Sequence, residues 1–376
     1  MPKFTPLSFS LPKAPSRQVI HSLDKYSFKE VLELKKTEDN FINVIHPQKK
    51  KPRDVNQVRE MWLNFLKERK YTETKKPSFF YYKISNSNFQ TVGFLGGADT
   101  SDIESNKITK HEKTFKNRVD HMATYVKAVQ IQAEPVMMIH ELPTPNELKP
   151  YILEKNDCVL DFDFDGTRHQ LWPLDSNQST ILENWANSQT HFHLADGHHR
   201  TQCMVDLSKV VGKPLSVFSF LVHESQIKLN SFVWFTNEVL SQRFYLALEQ
   251  MIVKRGGGTL KNNENLKSNY PLLIQVKQQW FGFSKETINS ENIPNFIISK
   301  LLDPLPTPLP KLNYAPDLNE SSLESQSNNQ LVFHMKPLSK SYLFDFAKKQ
   351  KTLPAKSTFI LPKMLTGLLI SSVFDI

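Results

Sequence analysis

The stretch His191-Phe192-His193-Leu194-Ala195-Asp196-Gly197-His198-His199-Arg200 decides how this chain is read. His191 to Leu194 reads as a strand. Thr201 to Val211 reads as a helix, with Met204, Leu207 and Val211 on one face. Asp196-Gly197 is a tight turn between them. A turn that feeds a helix start is an anion site, because the first backbone N–H groups lack intrahelical partners and the helix dipole is positive there. Arg200 adds a planar, permanently charged donor suited to phosphate or carboxylate. A plain turn followed by polar helix-start histidines accounts for the same residues equally well. A metal reading ranks behind: His191, His193, Asp196, His198 and His199 are of the types zinc takes, but it needs three or four ligands that converge.

Outward from this turn, strands and helices alternate. Ser27-Phe28-Lys29-Glu30 is a capping box opening a helix through Leu34. Phe41 to Ile45 reads as a strand. Val55 to Lys70 carries Val58, Met61, Trp62 and Phe65 at helical spacing, and 118–130 reads as a second helix. Phe79 to Ile84 is an aromatic strand that pairs with Thr91 to Leu95 as a hairpin, its rings forming a packed sheet face. Pro135 to Ile139, Val217 to Val222 and Leu368 to Ile370 read as buried strands. Cys158 to Phe164 and Arg168 to Trp172 form a hairpin about Asp165-Gly166. Asp161, Asp163 and Asp165 resemble the start of a calcium loop, but the later loop ligands are missing, so a polar strand face is the reading. The fold class is α+β, a mixed α/β arrangement.

The chain has 376 residues, 39% of them apolar and 23% charged, with a net charge of +9. That is a soluble globular composition long enough for two subdomains. The basic residues are scattered, so nucleic acid is not an expected partner, and the run Lys49-Lys50-Lys51-Pro52-Arg53 reads as a solvated linker. Two cysteines, Cys158 and Cys203, are too few for a disulfide framework; Cys203 is read as a packed small side chain. No signal peptide or membrane span is evident, and a cytoplasmic location is expected. The composition divides the chain into 1–240, a phosphate-binding core; 241–302, a second α/β segment; 303–330, a linker; and 331–376, a tail packing back on the core. The linker opens with Pro304, Pro306, Pro308 and Pro310 and continues rich in Ser, Asn and Glu.

Two further constellations carry chemistry. Lys110-His111-Glu112-Lys113-Thr114, with Arg118 beyond, collects cations, a carboxylate, an imidazole and a hydroxyl, although a solvated loop accounts for it when taken alone. Lys356-Ser357-Thr358, followed by Pro362-Lys363, lacks the preceding glycine frame of a phosphate-binding P-loop. No Gly-x-Ser-x-Gly or Gly-x-Gly-x-x-Gly occurs, which weakens hydrolase and dinucleotide-binding readings.

In this order these motifs, together with Ala133-Glu134-Pro135-Val136, Leu171-Trp172, Leu302-Asp303-Pro304 and Gly367-Leu368, resemble the bacterial family called domain of unknown function 1015. Arg118, placed shortly after the His-Glu pair, is similar to the Bacteroidetes members. The chain departs from the family at Ser22 to Ser27, where many members carry Pro-Pro-Tyr-Asp, and at His191 and His193, where the family often has a hydrophobic pair. The second departure demotes the metal reading, and zinc is not expected. The Asp-Gly-His-His-Arg turn also resembles the nucleotide-binding turn of the ParB/sulfiredoxin-like superfamily, which includes partition-protein CTPases and free-serine kinases. That resemblance implies a ParB/sulfiredoxin-like core with an added sheet and a C-terminal α/β subdomain.

It further implies a nucleotide-dependent phosphotransferase acting on a small hydroxylated, serine-like metabolite, with magnesium and ATP or ADP as cofactors. Phosphate and nucleotide would be bound by Gly197, His198, His199, Arg200, Lys113, Arg118, Lys356, Ser357 and Thr358. Glu112, Asp196 and His111 would be catalytic, with either carboxylate accepting the hydroxyl proton or holding magnesium. A non-enzymatic nucleotide-binding switch and a phosphomonoester hydrolase are the alternatives.

Overall fold

The strand ahead of the histidine turn runs from Phe192 to Asp196, and it is buried on both faces. Phe192 and Leu194 have no exposed surface and lie in the main core with Met204, Val205 and Leu207 of the following helix. Each such side chain contributes roughly 1.5–3 kcal/mol by burial. The continuous burial explains why the sequence here shows no clean polar alternation. A computed structural model describes residues 1–45, 55–236, 238–260, 270–288, 292–316 and 331–374. The basic run Lys49 to Arg53 and the Ser/Asn-rich 317–330 lie outside the described residues.

The chain divides into two units. Unit 1 is Met1–Lys110, Thr114–Ile227 and Pro362–Ile376; unit 2 is His111–Lys113 and Lys228–Leu361. Unit 1 is built on a mixed nine-stranded sheet. Its order is Ile108–Thr109, Phe192–Asp196, Val136–His140, Ser216–His223, Gln90–Asp99, Phe80–Ser85, Thr167–Pro173 and Leu160–Phe164, and Phe4–Thr5 also pairs with Gln90–Asp99. Phe192–Asp196 runs parallel to Ile108–Thr109 and antiparallel to Val136–His140. A register shift falls between Leu194 and Asp196, just before Gly197, and such a bulge re-aims the side chain that follows it.

A second, four-stranded antiparallel sheet in unit 1 is ordered Tyr71–Glu73, Phe9–Pro12, Ile370–Ser372 and Ile131–Gln132. It ties the C-terminal segment to the start of the chain. The two hairpins read from sequence are present: Tyr81 faces Phe94 in one register and Gln170 faces Asp161 in the other. Asp165 and Gly166 both have positive φ at the tip of the second. The aromatic strand is a packed face, with Phe80, Tyr81 and Tyr82 at 2% exposure or less. The Ser27–Glu30 capping box opens the helix Phe28–Leu34, and the helices Val55–Lys67 and Lys116–Val129 fall where periodicity places them.

One element differs. Phe41 to Ile45, read as a strand, contains the short helix Ile42–Ile45. Asn40 Oδ1 accepts the Ile42 N–H, and the Asn43 N–H bonds to the Asn40 carbonyl. This asparagine turn starts the helix, while burial of Phe41, Ile42, Val44 and Ile45 on every side removes the periodicity that separates helix from strand.

Unit 2 holds a six-stranded antiparallel sheet ordered Gly258–Leu260, Gln279–Phe283, Leu272–Val276, Leu331–Met335, Phe232–Thr236 and Asn313–Pro316, and a two-stranded pair, Lys228–Asn230 with Phe359–Leu361. Leu331–Met335 is hydrogen-bonded between Leu272–Val276 and Phe232–Thr236. One sheet therefore draws strands from 1–240, 241–302, 303–330 and 331–376 alike. The helix Gln242–Lys254, the π-helical turn Ile297–Leu302 and the inward faces of these strands enclose a separate core that includes Phe232, Trp234, Leu248, Ile274 and Phe333.

Candidate functional site

Gly197 makes the turn possible. Its φ is +91°, in the left-handed region that favours glycine. A Cβ there would stand 2.6 Å from Val136 Cγ1 and 3.2 Å from Arg200 Nη2. The helix His198–Val211 begins directly after it, with Gly197 as N-cap and no side chain capping the first turn. Thr201 N–H bonds to the Gly197 carbonyl, which is the first helical rung. The Thr201 hydroxyl is fully buried in that turn and has no hydrogen-bond partner among the described residues.

Four charged side chains of unit 1 interlock around Asp196. Lys363 Nζ donates to Asp196 Oδ1 at 2.5 Å, and Arg200 Nη2 donates to Oδ2 at 3.1 Å. Arg200 Nη1 donates to the carbonyls of Glu134 and Pro135, each at 2.9 Å, and lies 3.0 Å from Glu134 Oε1. Thr366 Oγ1 donates to Glu134 Oε2 at 2.9 Å. Two carboxylates and two cations thus balance. Burial pushes the Asp196 carboxyl up, but Lys363 and Arg200 together outweigh it and hold it well below the usual carboxylate range.

The neighbouring histidines have structural partners. His198 is buried. His199 Nε2 accepts the backbone N–H of Phe115 at 2.9 Å, and its ring stacks on the Phe115 ring at 5.7 Å, which serves the start of the helix Lys116–Val129. Arg118 is exposed on that helix's first turn. Lys110 Nζ donates to Gln202 Oε1 at 3.1 Å, and burial lowers its ammonium pKa. His193 Nδ1 is 2.7 Å from Thr109 Oγ1 and its Nε2 is 3.1 Å from Glu141 Oε1. Among the described residues no group of three or more His, Cys, Asp or Glu could hold a metal ion. Burial, reinforced by Asp206, pushes the Cys203 thiol up to about 12, which makes it an inert packing group.

Unit 2 brings the other two motifs together. Leu353 N–H donates to the His111 carbonyl at 2.7 Å, and Lys113 N–H donates to the Leu353 carbonyl at 3.0 Å. This short parallel bridge sets Glu112 beside the Ser357-Thr358 pair. Glu112 Oε2 accepts the Ser357 N–H and the Thr358 hydroxyl, each at 3.3 Å, and His111 Nε2 is 3.0 Å from Thr358 Oγ1. Lys356 sits at φ +63° with its carbonyl accepting Trp234 Nε1–H at 2.7 Å and its Nζ 5.1 Å above the Phe232 ring. Burial, and then the Glu112 charge, raises the Tyr314 hydroxyl pKa.

Within unit 1, then, Asp196, Gly197 and Arg200 form one cluster. Within unit 2, His111, Glu112, Ser357 and Thr358 form another. Sequence reasoning gave no role to Glu134, Lys363, Thr366 or Thr201. The first two stand in stretches it had quoted, Ala133 to Val136 and Pro362-Lys363, and Glu-Pro ahead of a buried strand was the available signal.

A family model described as Protein of unknown function (DUF1015) matches residues 4–216, more than half of the chain. The chain belongs to the DUF1015 family. No curated protein matches this DUF1015 member. Among solved structures it is similar to SbnI with C-terminal truncation from Staphylococcus aureus, at 12% identity and TM-score 0.43, over 71% of this chain and 82% of that one. A free serine kinase mutant in complex with ADP gives 12% identity and TM-score 0.41, over 76% and 94%. A conserved hypothetical protein from Pyrococcus furiosus gives 10% identity and TM-score 0.39, over 72% and 93%. Among the described residues no helix is long and apolar enough to cross a membrane.

Proposed function

We propose that this DUF1015 protein is a nucleotide-dependent phosphotransferase acting on a small hydroxylated metabolite, with the nucleotide phosphates held at the Gly197–Arg200 turn of unit 1. One observation carries the reading: a helix start that no side chain caps, behind a glycine in the left-handed region, flanked by two cations fixed on Asp196. Uncapped first-turn N–H groups and the positive helix end favour an anion there. The buried, unpartnered Thr201 hydroxyl in the same turn is the kind of group that a ligand or water satisfies. Phosphoryl transfer draws mainly on positioning and charge neutralisation, and these are what such a turn supplies.

Magnesium would enter here only as an ion that travels with the nucleotide. Such an ion takes one or two protein carboxylates and fills the rest of its shell with phosphate and water, so no all-protein cage is needed. Both Asp196 oxygens are engaged by cations, Lys363 at Oδ1 and Arg200 at Oδ2, so this carboxylate fits the ion poorly, and the ion's contribution would be to neutralise the phosphate charge it arrives with. Because its cationic neighbours keep Asp196 ionised, it is a poor acceptor for the substrate's hydroxyl proton.

The test is to incubate the purified chain with ATP or ADP, magnesium and a pool of hydroxy amino acids, and to look for a phosphorylated product by phosphorus NMR. A new phosphomonoester supports the reading. Saturable nucleotide binding with no product would replace it with a nucleotide-binding switch. No thermal or calorimetric response to any nucleotide or phosphate compound would remove the phosphate site altogether.

A further inference from the structure

Resting on that reading, we propose that Lys110 is a phosphate-binding residue of the unit 1 site, and that it selects polyphosphate nucleotides over a monophosphate. The motif Lys110 to Thr114, with Arg118 beyond, offers several cations. Lys113 belongs to unit 2, and Arg118 is exposed on the first turn of its helix. Lys110 belongs to unit 1 and is partly buried.

Two strands set its place. Ile108–Thr109 runs parallel to Phe192–Asp196, with Thr109 level with His193. Lys110 therefore leaves its strand at the same edge of the sheet at which Gly197 leaves its own. The carboxyl ends of parallel strands are where α/β sheets bind their ligands. From there the Lys110 ammonium donates to Gln202 Oε1 at 3.1 Å, on the helix His198–Val211. Gln202 is held in turn by its Nε2, which donates to Asp206 Oδ1 at 2.9 Å, so its oxygen is the end that faces the lysine.

That partner is neutral. Among the described residues no carboxylate lies within ion-pair distance of Lys110. Asp206 and Glu104 attract it from further off, Lys209 repels it, and burial outweighs them all and lowers the ammonium pKa. A cation drawn out of water without a counter-charge costs stability that an arriving anion returns. The two cations at the turn, Arg200 and Lys363, are already matched by Asp196 and Glu134, so that cluster adds no net charge against a second phosphate. Gln202 stands roughly 7.5 Å along the helix axis from Gly197, more than one turn beyond the helix start. A first phosphate on the turn is met by the helix end, and Lys110 meets the next one along the chain. A flexible point charge is suited to that task. The Thr201 hydroxyl, next to Gln202 in sequence, is fully buried and has no hydrogen-bond partner among the described residues. It is an independent sign that this turn accepts a polar ligand.

The experiment is calorimetric titration of wild type, Lys110→Met and Lys110→Gln with ADP and with AMP, magnesium present, with melting temperatures taken alongside. Lys110→Met should bind ADP roughly ten-fold more weakly than wild type and AMP within about two-fold of it, the loss of one charge-assisted contact. A merely structural lysine would weaken both nucleotides alike, so the ratio of the two affinities is the readout. Lys110→Gln keeps a donor for Gln202 Oε1 and removes the charge. It should show the same loss of preference for ADP, and it decides if Lys110→Met melts far below wild type. Wild-type binding of ADP together with an unchanged ratio in Lys110→Gln would overturn this assignment and leave the proposed function standing. Absence of binding of either nucleotide by wild type would instead remove the proposed function, and this assignment with it.

Discussion

Arg200 Nη1 donates to the backbone carbonyl of Glu134 at 2.9 Å and lies 3.0 Å from the carboxylate of the same residue. One guanidinium therefore satisfies main chain and side chain of a residue 66 positions earlier, and it does so while holding Asp196. Removing it leaves two carboxylates short of a cation and two carbonyls short of a donor. Arg200→Ala should cost about 2–3 kcal/mol of unfolding free energy, less than breaking a fully buried pair from one side, because the three side chains keep 17–27% of their surface exposed. Urea denaturation of the two proteins at neutral pH checks this, and a loss under 1 kcal/mol would show that the network is an ornament of the fold.

Gly197→Ala should be costly for two separable reasons. The φ of +91° is strained for any side chain, and the new Cβ would stand 2.6 Å from Val136 Cγ1. Backbone strain of this kind costs about 1–3 kcal/mol, and overpacking adds a similar amount. Adding Val136→Ala removes the Cγ1 clash but leaves the residue's own Cβ at 2.9 Å, so it should return only part of the steric cost and none of the backbone strain. A double variant as stable as Val136→Ala alone would mean that the turn tolerates a side chain and that glycine is not required.

What was legible in the sequence follows from the range of each interaction. The strand, turn and helix around Gly197 were readable because glycine, burial and helical spacing act within a dozen residues. The Ser27 capping box was readable for the same reason, whereas the five residues Phe41 to Ile45, four of them apolar, were too short to separate a buried helix from a strand. The partners of Asp196 were not readable. Lys363 lies 167 positions away and reaches it only because Ile370–Ser372 is paired between Phe9–Pro12 and Ile131–Gln132. Sheet pairing of that separation leaves no local trace. Glu112 and Thr358, 246 positions apart, were suggested only by standing in motifs of one resemblance.

His140 gives a pH prediction of defined sign. It is 1% exposed, packed edge-on against Trp185 with ring centroids 4.6 Å apart, and donates through Nδ1 to the Leu142 carbonyl at 2.8 Å. Burial, aided by the nearby His223, pushes its imidazole down to about 3, against the opposing effect of the Leu142 bond. An unfolded histidine takes up its proton near pH 6.5. Between about 6.5 and 3 the unfolded chain binds a proton that the folded chain refuses. The stability contributed by keeping His140 neutral is therefore complete above about pH 6.5 and is lost as pH falls toward 3, with a slope approaching about 1.4 kcal/mol per unit. His140→Asn should be less stable than wild type at pH 7 yet lose less stability on acidification. Parallel curves for the two proteins from pH 7 to 4 would refute the assignment.

Lys356 can be tested for function apart from stability, because the contributions to its stability nearly cancel. Its φ of +63° costs a lysine about 1 kcal/mol that glycine would not incur. Against this, Lys356→Gly loses the contact of Nζ with the Phe232 ring, worth about 0.5–1 kcal/mol, and frees the unfolded chain by about 0.4–1 kcal/mol. The bond from Trp234 Nε1 to the Lys356 carbonyl survives, since glycine keeps that oxygen. The net change should lie within about 1 kcal/mol, and urea denaturation should barely separate the two proteins. If Lys356 contacts ligand phosphate, nucleotide titration of this variant should show at least a ten-fold loss on an intact fold. Wild-type affinity in the same variant would assign Lys356 to the turn that presents Ser357 and Thr358 to Glu112, and to nothing beyond it.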